Sequence, residues 1–128
     1  MMENNSIPRT YEEWRKNEFE REEDAANNFG FHVIIHCREA AIEELSSDLT
    51  EDQRNNAINA IDTCLHNIMD LLEVFFPLLR GNNHNLEYIV QVAVVNKKGK
   101  TVEKINISPN KLDLPIGYWK WARDKEFR

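Results

Sequence analysis

Apolar side chains recur about every 3.6 residues through the first 76 positions and every second residue after position 85, so the chain predicts helices followed by strands. Thr10 with Glu13 has the spacing of a capping box, and "YEEWRKNEFEREEDAANN" then reads as a charge-rich helix. Its apolar stripe is thin, carried by Tyr11, Trp14, Phe19 and the alanines. "NNFG" at 27–30 is expected to break it, because glycine and asparagine suit turn conformations.

The next stretch, "FHVIIHCREAAIEEL", places Phe31, Ile34, Ile35, Arg38, Ala41, Ile42 and Leu45 on one third of a helical circle. Phe29, Phe31, Val33, Ile35 and Cys37 also alternate with strand period, so a strand competes there. The strong helix formers from Arg38 onward continue the helical face and favour helix. Thr50 with Gln53 opens a further helix, with Glu51 and Asp52 at its positive end. Its apolar face runs from Ala57 and Ile58 to Phe75 and Phe76, and Pro77 ends it. The link between these two helices is short, which predicts antiparallel packing.

From residue 86, "LEYIVQVAVV" reads as a strand, "NKKGK" as a hairpin loop with Gly99 at positive φ, and "TVEKINIS" as the returning strand. "GYWKWARDKEFR" reads as a short last helix or a docked tail. The expected fold is α+β in a single domain over 10–128, preceded by a disordered tail at 1–9. An antiparallel helix pair at 31–47 and 51–76 packs on a small antiparallel sheet at 86–108.

Composition narrows the function classes. The net charge of −6 is uneven: residues 1–95 carry 18 acidic and 7 basic groups, and residues 96–128 carry 4 and 9. An acidic whole repels the phosphate backbone, which disfavours nucleic acid as the main partner. The N-terminus lacks the apolar core of a secretory signal, and Asp70, Glu73 and Pro77 interrupt the longest apolar run. A cytoplasmic protein with no membrane contact is therefore the expectation. Cys37 and Cys64 then read as reduced thiols on apolar stripes.

Candidate chemistry is sparse. The glycines are too scattered for a phosphate-binding loop, and no Gly-x-Ser-x-Gly elbow occurs. His32 and His36 stand one helical turn apart, with Glu39 and Glu43 on the same stripe. His66 with Asp62 and Asp70 makes a similar stripe on the next helix. In carboxylate–histidine bundles the ligands project between helices, whereas here apolar faces claim the interior. Both polar stripes are thus expected to face water, and no metal or cofactor is assigned.

Aromatic residues at the two ends offer a contact surface instead. Tyr11, Trp14, Tyr118, Trp119 and Trp121 are the candidate partner-binding residues, the last three interleaved with basic side chains. The apolar helix face and the open edges of a two-stranded ribbon both call for company, which favours a homodimer or another protein partner. The leading expectation is a non-enzymatic interaction module of bacterial or phage style. An acidic inhibitor or immunity-type protein that masks a basic partner is its concrete form. Two alternatives remain. One is a metal-binding enzyme or sensor using His32, His36 and His66. The other is a nucleic-acid accessory protein using Lys97, Lys98, Lys100 and the C-terminal aromatics.

Overall fold

The computed structural model describes residues 7–73 and 81–128. A single turn of 3-10 helix at Tyr11–Glu13 leads into α1 (Glu18–Val33), which continues through a π-helical segment (Ile34–Glu39) into α2 (Ala40–Glu43). After a turn come α3 (Glu51–Leu72), a hairpin of β1 (Gln91–Val95) and β2 (Thr101–Asn106), and α4 (Leu114–Asp124). The fold is α+β, as expected.

The first helix starts later than predicted. The Thr10–Glu13 box forms, with both Thr10 N–H and its hydroxyl donating to Glu13. It closes only the 3-10 turn. Trp14 is extended and buried, and its indole N–H donates to the Arg9 carbonyl. The Arg15 amide donates to buried Asp24 at 2.6 Å, which pulls the chain away from a helical path. Asn17 supplies the true cap, accepting from the Glu20 amide.

The predicted break at 27–30 does not occur; the helix runs straight through it. Gly30 is there because Trp121 packs on its backbone, where a Cβ would sit inside the indole ring. The competing strand over 29–37 is likewise absent. The π-helical segment lets Val33 and Ile34 both be buried while Ile35 is left 41% exposed. Of residues 1–9, expected as a tail, 1–6 lie outside the described residues. Pro8 is buried, Arg9 pairs with Asp24, and Arg128 donates to the Ile7 carbonyl.

The Thr50–Gln53 capping box forms with both of its reciprocal hydrogen bonds. The expected continuation of α3 to Phe76 and its end at Pro77 lie outside the described residues. The strand predicted from residue 86 begins only at Gln91. Leu86, Tyr88 and Ile89 are each about half exposed. The ladder pairs Val92 with Ile105 and closes beyond the strands through Ile107 N–H to the Val90 carbonyl. Ser108 Oγ accepts from the Val90 amide at 3.0 Å.

The core lies where α4 crosses α1 and α3. Trp121, Tyr118, Ile34, Met69, Ile107 and Leu114 are its large, fully buried side chains. Asp113 caps α4 by accepting from the Ile116 amide, and Lys125 at φ 51° turns the chain so that Phe127 reaches back onto Phe31.

Candidate functional site

The five aromatics singled out from the sequence sit against the chain's own core. Trp14, Tyr118 and Trp121 are buried. The Trp121 indole N–H donates to Asn27, and the Tyr118 hydroxyl donates to Asp62 at 2.6 Å. Tyr11 donates to Glu103, and Trp119 stacks on His66 with Arg123 over its other face. Four of the five thus have a polar tip satisfied within the chain, and the fifth, Trp119, has stacking partners there.

His32 and His36 are exposed and stacked on each other, ring centroids 5.4 Å apart. The stripe on α3 is different, and here the expected orientation is corrected. Asp62 and His66 face α4 and the π-helical segment, and Asp70 lies one turn along the same helix. Asp62 takes both the Arg38 guanidinium, at 2.7 Å, and the Tyr118 hydroxyl. Burial pushes its carboxyl up, but these two donors outweigh burial and hold it below its ordinary value. Burial pushes the Tyr118 hydroxyl up, and Asp62 adds to the shift. His66 lies 3.6 Å from Asp70. Among the described residues, no group of three or more His, Cys, Asp or Glu side chains is placed to hold a metal. No helix among them is long and apolar enough to cross a membrane.

α3 turns its Asp62 edge inward, and while Met69, Leu65 and Leu72 of the apolar stripe stay on the core, Cys64 and Ile68 turn outward. Ala60, Cys64 and Ile68 are exposed, and with Thr63, Asn67 and Leu71 they line a shallow groove. Cys37 is exposed as well, so neither thiol occupies the buried position expected of it. About two turns N-terminal to this groove, the start of α3 and the turn before it present Glu43, Glu44, Asp48, Glu51 and Asp52, all exposed. The hairpin lysines Lys97, Lys98 and Lys100 are exposed at the opposite sign of charge.

A second feature escaped the sequence reading. Glu73, at the C-terminal cap of α3, is only 7% exposed, and its Oε1 has no hydrogen-bond partner among the described residues. Burial pushes its carboxyl up to about 7, with the Asp113 charge adding and the Asn110 amide opposing. On a helical wheel Glu73 belongs to the polar face, so periodicity alone marked it as solvated. The available signal was its position: a carboxylate at the negative end of a helix dipole, with no basic residue in the last turn, is out of place. No family model, curated protein or solved structure matches this chain.

Proposed function

We propose that the protein is a non-enzymatic interaction module that binds a basic protein partner along the outward face of α3. The observation that carries this reading is an apolar groove on a helix whose N-terminal end, about two turns away, carries a run of exposed carboxylates. Cys64 and Ile68, exposed in mid-helix, supply the apolar contact, and Glu43, Glu44, Asp48, Glu51 and Asp52 supply the charge. A partner that buries the groove gains apolar contact, and a basic rim on that partner is drawn in by the carboxylates. An inhibitor or immunity-type protein that masks a basic toxin or nuclease would use such a surface.

The test compares pull-downs from native lysate with wild-type protein, Ile68→Asp, and a variant with the five carboxylates changed to amides. A basic protein captured by the wild type, lost with Ile68→Asp and weakened both by the amide variant and by 0.5 M salt (about a 4 Å screening length) supports the proposal. Equal capture by Ile68→Asp overturns it. So does concentration-dependent self-association abolished by Ile68→Asp with no basic partner, which would make the groove an interface between two copies.

A further inference from the structure

Between α1, the end of α3, the loop before α4 and α4 itself lies a cleft of ≈ 560 Å³. That size suits a small organic molecule. Phe19, Leu112, Leu114, Ile116 and Trp121 form the apolar part of its wall, with Phe19 54% and Ile116 68% exposed, and polar and charged side chains form the rest. The carboxyl of Glu73 lines the same cleft, 93% buried, with Oε1 unsatisfied among the described groups. The other charged groups on the cleft are engaged elsewhere. Lys111 pairs with Glu22, Lys120 with Glu126, Glu23 with Arg15, and Asp113 caps α4.

A buried acceptor without a donor costs free energy that a matched ligand recovers. This acceptor is an acid at the negative end of α3, so the group that suits it best is a cation with N–H donors. The greasy walls and the exposed Phe19 and Ile116 suit an apolar or aromatic body attached to that cation. The geometry points to a binding site for a small primary amine, whose ammonium donates to Glu73 while its hydrocarbon part lies against Phe19, Leu112, Ile116 and Trp121. The last torsion of a glutamate is soft, so either oxygen can turn towards the ammonium. Glu73 and the exposed Cys64 and Ile68 lie on opposite sides of α3, which makes this site separate from the groove proposed for a protein partner.

The site would also take up amine with loss of a proton. Free Glu73 is protonated below about pH 7. Pairing with an ammonium favours the ionised form against burial, Asp113 and Glu23, with Lys111 and Lys120 on its side. Binding near pH 6 then releases up to about one proton per amine, and binding at pH 9 releases none.

Phenethylamine, 2-phenylethanol and phenylacetate are suitable probes, titrated into the full chain and followed by amide chemical shifts and calorimetry. The expected result is shifts at Asn110, Leu112 and Gly117 with phenethylamine, on the order of tenfold tighter than with the alcohol, and no binding of phenylacetate. Glu73→Gln should keep the folded spectrum and lose the preference for amine over alcohol. Equal affinity for amine and alcohol in the wild type, unchanged amine binding in Glu73→Gln, or no shifts with phenethylamine at millimolar concentration would each overturn the proposal.

Discussion

Trp121 of α4 lies flat against the backbone of Gly30 in α1, and the absence of a side chain at Gly30 is what lets the two helices close. The same indole donates to Asn27 one turn earlier, so a single residue is held by both packing and a buried hydrogen bond.

Gly30→Ala should therefore be severely destabilising, although alanine is the better helix former by about 1 kcal/mol. Overpacking at this contact is expected to cost about 3 kcal/mol or more net, read by urea denaturation. Gly117→Ala is the control. A Cβ there would stand 3.2 Å from the far edge of the same ring, so a small adjustment accommodates it. A Gly30→Ala protein as stable as Gly117→Ala would contradict the packing described.

Replacing Glu73 by glutamine should stabilise the protein, and only at neutral and alkaline pH. The folded protein binds this proton more tightly than the unfolded chain, with a carboxyl at about 7 against an ordinary 4.5. Wild-type stability from this group is thus full below pH 4.5 and falls as pH rises through about 7. The difference between Glu73→Gln and wild type should grow from near zero at pH 4 to at most about 3 kcal/mol at pH 8.5, at ~1.4 kcal/mol per pKa unit. A difference that does not change with pH would show that the carboxyl is not held protonated.

Glu103 on β2 predicts the opposite limb. It accepts from the Arg21 guanidinium at 2.6 Å and 2.9 Å and from the Tyr11 hydroxyl, and these donors pull its carboxyl down to about 2. A depressed carboxyl stabilises the fold above its unfolded value near 4.5, and the contribution disappears as pH falls through about 2. The side chain is 28% exposed, so solvent screening reduces the effect to about 1 kcal/mol for Glu103→Gln at pH 7. The variant and wild type should converge in acid; thermal denaturation at pH 2 and pH 7 measures both.

Asp62 should be far less replaceable than its surface-like sequence position suggests. Asp62→Ala leaves the Tyr118 hydroxyl without its acceptor and the Arg38 guanidinium with Glu39 alone, at a cost of about 2–3 kcal/mol. Tyr118→Phe removes one donor and leaves Asp62 with Arg38, costing about 1 kcal/mol. Comparable losses from the two variants would argue that the junction contributes little beyond packing.

Much of the fold was legible because local rules decide it. The Thr50–Gln53 cap, the hairpin with Gly99 at φ 79°, the returning strand and the helical nature of 31–43 all follow from spacing and turn chemistry within a few residues. The α+β class follows from the change of period after residue 85. What tertiary structure decided was which face each helix turns inward. Hydrophobicity alone would have buried Cys64 and Ile68 and exposed Asp62. The need of half-buried Arg38 and buried Tyr118 for a carboxylate turns the Asp62 edge of α3 inward. Gly30 could be read as a breaker until Trp121, ninety-one positions later, came to lie on it. Glu73 could be read as a wet residue until the loop before α4 folded over it. Periodicity reports how greasy a position is, whereas burial of a charge depends on partners distant in the chain, and only the folded molecule brings those together.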